Sequence, residues 1–283
     1  MSDVSSYKIS MGDQLFFINS SLIAGIQSLQ FDSNRNISSL NYLGQKKTSF
    51  YANGIQGGKV TIDSLVVSDD IFLPFTGNSG FNGYIIKNRA DTSKNYSFAS
   101  GYLTSYSVKG GVDTPTQISV GIDVFGNWGT LESSDHSQIS TDFSSITNHT
   151  YVEPDYKFSH PKYTTVSCNN INSNRLQNFE INILVPRQPT YYLGQLDPSH
   201  VEINGPISIN CSLQYEIDEY NLTKSKNKSV IHELNDINIV LKTSSGTTIQ
   251  TYSFNDMELL NESLSSSNNS YVTVDAEYQT FIN

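Results

Sequence analysis

The chain has 283 residues, with 17 Lys and Arg against 27 Asp and Glu for a net charge of −10, so it offers no cationic stripe of the kind that neutralises phosphates in sequence-specific nucleic-acid binding. Charged residues make up only 16%, with Ser, Asn and Thr supplying the remaining polarity, which excludes long helices laced with Glu/Lys pairs. Aromatics at 11%, including 17 Tyr and 14 Phe, suit half-buried pleated surfaces, so the expected class is all-β, in two ordinary domains or one large unit.

In chain order, residues 1–6 carry no basic segment leading into an apolar core, so no signal peptide is expected. The apolar run Leu15-Phe16-Phe17-Ile18 stops at Asn19-Ser20-Ser21, far short of the ~20 residues of a spanning helix. The expectation is a soluble protein made in a cytoplasm. Residues 59–66, 117–124, 207–213 and 271–278 alternate polar and apolar and predict strands with one buried face. Asn53-Gly54, Gly57-Gly58, Gly110-Gly111, Asn204-Gly205 and Ser245-Gly246 read as tight turns between them. Short helices fit only at 69–75 and 218–222.

An internal repeat organises these elements. Ile86, Tyr96-Ser97-Phe98 and the strand at Ile118 recur as Leu241, Tyr252-Ser253-Phe254 and the strand at Val272, at offsets of 155, 156 and 154 residues. Earlier, Asn34-Arg35 matches Asn174-Arg175, residues 43–51 match 184–192, Asn53-Gly54 matches Asn204-Gly205, and the strand at Val60 matches that at Ile207. The offset there drifts upward, as an insertion within 194–200 would produce. The expected organisation is two copies of one antiparallel β-sandwich or barrel domain, residues 7–129 and 163–283, each with at most a short helix. Residues 130–162, rich in Ser, Asp and His, form a linker or extended arm.

Chemistry-bearing patterns are sparse. His136, His149, His160, His200 and His232 lack the paired spacing of metal ligands. Cys168 and Cys211 read as two buried thiols. No Gly-x-Ser-x-Gly elbow and no glycine-rich phosphate cradle occurs. No catalytic, metal or cofactor residue is therefore predicted, and the chain is not expected to be an enzyme. Asp69-Asp70 and Asp218-Glu219 are read as caps of short helices rather than a hydrolytic pair. The apolar loop Ile71-Phe72-Leu73-Pro74-Phe75 either covers the end of its own domain or is a contact surface. On the second reading Phe72, Leu73 and Phe75 are inter-subunit contact residues.

Ile23-Ala24-Gly25-Ile26-Gln27-Ser28-Leu29, a polar turn across 32–36, Leu43-Gly44, and Tyr51-Ala52-Asn53-Gly54 before an alternating strand together resemble the bacteriophage tail-tube family. The resemblance covers the first half directly and the second half through the repeat. It implies sheets joined side by side in a ring around a channel, and for a tandem chain a homotrimer with pseudo-six-fold symmetry, in place of the usual hexamer. It further implies residence in the virion tail, contacts with other tail proteins, DNA only as non-specific cargo, no membrane partner and no cofactor. A hub or adaptor ring would use the same fold. A carbohydrate-binding adhesion module, suggested by the aromatic and Asn content, and a two-domain glycosidase are the readings from other classes.

Overall fold

A computed structural model describes residues 15–19, 21–40, 49–67, 70–86, 95–125, 128–129, 157–168, 175–195, 197–216, 234–266 and 272–282. Its strands are β1 (Leu15–Ile18), β2 (Ser21–Leu22), β3 (Ile26–Leu40), β4 (Ser49–Leu65), β5 (Phe81–Ile86), β6 (Asn95–Gly111), β7 (Thr114–Val124) and β8 (Trp128–Gly129) in the first half. The second half holds β9 (Thr165–Cys168), β10 (Leu176–Leu184), β11 (Arg187–Thr190), β12 (His200–Ile203), β13 (Ile207–Glu216), β14 (Leu234–Lys242), β15 (Thr248–Ser265) and β16 (Thr273–Ile282). Fourteen strands join one antiparallel sheet, while β11 and β12 form a separate hairpin. The described helical pieces are two short 3-10 turns, Leu73–Thr76 and Pro161–Tyr163. The protein is all-β. Among the described residues no helix is long and apolar enough to cross a membrane.

Alternation produces these strands. In β7, Ile118, Val120, Ile122 and Val124 are buried while Gln117, Ser119 and Asp123 point away from the core, and β4, β13 and β16 behave alike. The predicted turns fare unevenly. The polar run 32–36 lies inside β3, where Asp32, Ser33 and Asn34 pair with Lys59, Gly58 and Gly57. Asn53-Gly54 and Gly57-Gly58 accordingly sit within β4, the former where the ladder skips from Ala52 to Gln56. β3 is outermost and tolerates such polar sequence because little of it must be buried, and the glycines of β4 lie where its other neighbour, β7, ends. Asn204-Gly205 and Ser245-Gly246 do turn the chain, with φ of +117° at Gly205 and +83° at Gly246.

One order of strands occurs twice. Neighbours run β1-β5-β6-β7-β4-β3 in the first half and β9-β14-β15-β16-β13-β10 in the second. Adding 156 to the β6–β7 ladder reproduces the β15–β16 ladder: Leu103↔Ile122 becomes Leu259↔Tyr278, and Val108↔Ile118 becomes Leu264↔Val274. The bulge between Leu103 and Ser105 recurs between Leu259 and Asn261, and that between Ile26 and Ser28 recurs between Leu176 and Asn178. Ser100 and Asp256, also 156 apart, both hold positive φ, at 58° and 55°. Non-glycine residues seldom do.

The register also corrects the matching of 43–51 with 184–192. The β11–β12 pairs Arg187↔Ile203 and Thr190↔His200 correspond to Ile37↔Ala52 and Leu40↔Ser49 at the tip of the β3–β4 hairpin. The segments joining the two tips differ in length by one residue, which leaves room for a single extra residue in the second copy and not for the larger insertion that the drift implied. Pro186 and Pro206 lie where the second copy of this hairpin breaks away from its sheet, because proline cannot donate to a ladder.

Both halves bury their apolar faces in one continuous core, including Ile62, Phe98 and Ile122 from the first and Ile181, Leu213 and Tyr278 from the second. Phe98 fits only because Gly83 lies beneath its ring, where an added Cβ would stand 2.1 Å from it.

Candidate functional site

The two halves meet where β10 pairs with the C-terminal part of β6, from Asn178↔Gly111 to Leu184↔Ser105. Beyond the ladder, Val185 N–H donates to Thr104 O at 2.9 Å and Val112 N–H to Gln177 O at 3.0 Å. Ile181 stands opposite Val108, and both are fully buried. Gly110 faces Phe179, whose ring would lie 2.7 Å from a Cβ at that position.

Three further links tie the halves together. Asp70 accepts from Phe72 N–H (2.9 Å), Leu73 N–H (3.3 Å), Tyr252 Oη (3.1 Å) and Tyr106 Oη, so one carboxylate caps a turn of the first half and holds a tyrosine of the second. Burial pushes the Tyr106 and Tyr252 hydroxyls well above their ordinary range, with neighbouring Tyr252 and Asp70, respectively, adding to the effect. Arg187 donates to Leu103 O (3.1 Å), Phe75 O (3.2 Å) and Gly77 O, and its guanidinium lies 5.5 Å from the Tyr102 ring centre. Burial lowers its pKa. Lys157 N–H donates to Val67 O, and His160 N–H to Lys242 O at 2.8 Å, so 157–160 touches both halves.

The capping role expected of the carboxylates holds for Asp70, while Asp69, Asp218 and Glu219 lie outside the described residues. Phe72 corrects the contact-surface reading: it is only 2% exposed and belongs to the core, because Asp70 folds the loop inward. Leu73 and Phe75 are half-buried against that core, with Phe75 4.7 Å from the Phe81 ring. Cys168 and Cys211 are buried free thiols, and burial raises Cys211 to about 12. His160 Nδ1 accepts from Lys162 N–H, and His200 lies 3.5 Å from Glu202. His136, His149 and His232 are outside the described residues, among which no cluster of metal-ligating side chains occurs.

Because β6 pairs with β10, eight strands form an unbroken ribbon, β3-β4-β7-β6-β10-β13-β16-β15. One face is buried. The other presents a row formed by Ser28, Asp63, Ser119, Ser107, Asn182, Asn210 and Gln279, each opposite the next. On this face Asp32, Asp63, Asp123, Glu180, Asp275 and Glu277 outnumber Lys59 and Lys109. Cross-strand hydrogen bonds span it in equivalent places: Ser28 and Ser119 donate to Asp63 at 2.5 and 2.6 Å, and Asn178–Gln214–Asp275 repeats the arrangement at 2.7 Å per bond. The bonds from Ser119 and then Ser28 lower the Asp63 pKa, whereas burial raises Asp123 against the pull of Lys59. Large apolar groups appear on this face at one rim, at Leu184 and Phe281, which share a row through Ser208.

The ribbon ends in open edges. Among the described residues, β3 pairs only with β4, and from Leu259 onward β15 pairs only with β16. No family model and no curated protein matches this chain. Sequence reasoning missed Arg187, Tyr252 and the β15 edge. Leu264 was the available signal, an apolar residue in a Ser-rich run.

Proposed function

We propose that this chain is a structural protein of a bacteriophage tail, made by tandem duplication of one tube-type β domain, that assembles into a ring through which DNA passes. Residues 7–129 and 163–283 are the two copies, joined by 130–162. The observation that carries this reading is the eight-strand ribbon: apolar on one side, polar and net acidic on the other, and, among the described residues, open at both edges. Such a ribbon is unsuited to an isolated monomer, because open edges pair with other chains. Joined end to end, ribbons form a closed wall. Three chains supply six copies, so the ring is a homotrimer with pseudo-six-fold symmetry. An acidic wall repels phosphates within a Debye length of ~8 Å at physiological salt, which lets DNA slide without adhering.

Rings stack through the rim, where Leu184 and Phe281 are exposed. Other tail proteins dock at the same level. Negative-stain microscopy of the purified chain tests the proposal. Rings or tubes with a central hole are expected, long tubes marking the repeating tube and single rings a hub or adaptor. Compact particles without a hole at every concentration would overturn it.

A further inference from the structure

We infer that the open edge of β15 in one chain pairs antiparallel with the open edge of β3 in the next, in the register that β6 and β10 already use within the chain. The inference rests on the ring reading above and names the contact that closes it. Its basis is the internal repeat. β15 stands to the second half as β6 stands to the first, 156 residues on, and β3 stands to the first half as β10 stands to the second, 150 residues back. The β6–β10 joint is therefore one instance of a contact whose other two surfaces are, among the described residues, left open at the two ends of the ribbon.

Carrying the β6–β10 pairs across gives Gln30↔Ser265, Phe31↔Leu264, Asp32↔Ser263, Ser33↔Glu262 and Asn34↔Asn261 between chains. The Val185 N–H to Thr104 O bond becomes Arg35 N–H to Leu260 O.

The side chains fit this partner. Val108 is 0% exposed beneath the intramolecular joint, whereas its counterpart Leu264 is 56% exposed in the single chain, as is Leu260. An apolar side chain at a core-facing edge position is suited to being covered by a partner strand. The Phe31 position supplies that cover as Ile181 covers Val108. Sizes compensate as well: Gly110 admits the Phe179 ring, and the corresponding pair across chains is Ser266 with Leu29, a larger residue facing a smaller one. Neither Asp32 nor Glu262 meets a like charge, since their partners are Ser263 and Ser33. The contact is head-to-tail, not self-complementary, so it builds a ring and not a two-fold dimer.

Cysteine pairing tests the register. Val185 donating to the opposite Thr104 makes that pair hydrogen-bonded, so the Asn182↔Ser107 position and its counterpart Asp32↔Ser263 are non-hydrogen-bonded pairs, whose Cα atoms lie about 4.5 Å apart and accept a disulfide. Asp32 and Ser263 are exposed and lie on the polar face, whereas the native Cys168 and Cys211 are buried. Mixing D32C chains with S263C chains under mild oxidation is expected to give covalent dimers that neither gives alone. The D32C/S263C double variant should give a ladder ending at the closed trimer. N182C/S107C should close within one chain, confirming the geometry used. The off-register pair D32C/N261C should cross-link at least about tenfold less, since its Cα separation exceeds disulfide reach. Chains that sediment as rings but do not cross-link at 32/263, or that cross-link equally off register, would overturn the joint and leave the ring. Chains that remain monomeric throughout would overturn both.

Discussion

The two halves of the molecule share strand order, register and bulges, yet they treat one equivalent edge in opposite ways. In the first half the late part of β6 is covered by β10, and Val108 beneath it is sealed; in the second the late part of β15 is bare, and Leu264 is 56% exposed. The backbone therefore repeats while the environment does not. A buried position and an exposed one with the same pleat direction and the same apolar character would be, in the proposed ring, two states of one contact, formed within the chain and formed between chains.

Substitutions at these positions sharpen the comparison, the largest effect coming from the core. Phe72→Ser empties a fully enclosed site and is expected to cost ~3–5 kcal/mol, lowering the melting temperature followed by circular dichroism. Phe75→Ser, at a half-buried ring, should cost less than half as much. Equal losses would contradict the placement of the loop.

Asp70→Ala comes next. It strands two backbone N–H groups and leaves the Tyr106 and Tyr252 hydroxyls bonded only to each other, three of the four lost bonds being buried, for an expected loss of ~2–4 kcal/mol in chemical denaturation. Tyr252→Phe, which removes one donor, should cost ~1 kcal/mol.

Val108→Ala and Leu264→Ala put the comparison itself at stake. The first should destabilise the isolated chain by ~2 kcal/mol through lost burial and a cavity. The second should change the monomer by no more than ~0.5 kcal/mol, while Leu264→Glu should abolish ring formation in sedimentation. A matching loss of monomer stability at Leu264 would mean that this residue is covered within its own chain.

The smallest effects are electrostatic. Asp63 has a lowered folded pKa because Ser119 and Ser28 donate to its carboxylate, so its stabilisation is present above the ordinary carboxylate pKa and is lost as pH falls through the lowered value. Asp63→Asn should flatten the acid limb of stability against pH. Asp123 has a raised folded pKa from burial, so Asp123→Asn should stabilise the chain slightly at neutral pH, a gain that fades as pH falls through the raised value. Melts between pH 3 and 7 read both signs (~).

Much of this architecture was legible before any coordinates. Alternation located β4, β7, β13 and β16, and Tyr96-Ser97-Phe98 with Tyr252-Ser253-Phe254 falls at the 156-residue offset that the ladders keep. Errors clustered where a strand lies at the margin of the sheet. The 32–36 run and the glycines of β4 carry turn chemistry but are paired, the former on an outermost strand and the latter where β7 ends. Pro186 and Pro206 broke the pattern of the second hairpin and drew the matching of 184–192 nine residues astray. The Asp70–Tyr252 bond joins residues 182 positions apart, and no local pattern encodes such a link. The acidic total was visible, but its concentration on one face depends on register.

Native mass spectrometry across the micromolar range tests the central claim most directly. Head-to-tail joining of three two-copy chains predicts a species of three times the 31.5 kDa chain, with no accumulation of a two-chain form. A stable two-fold dimer, or monomer alone at every concentration, would contradict the account.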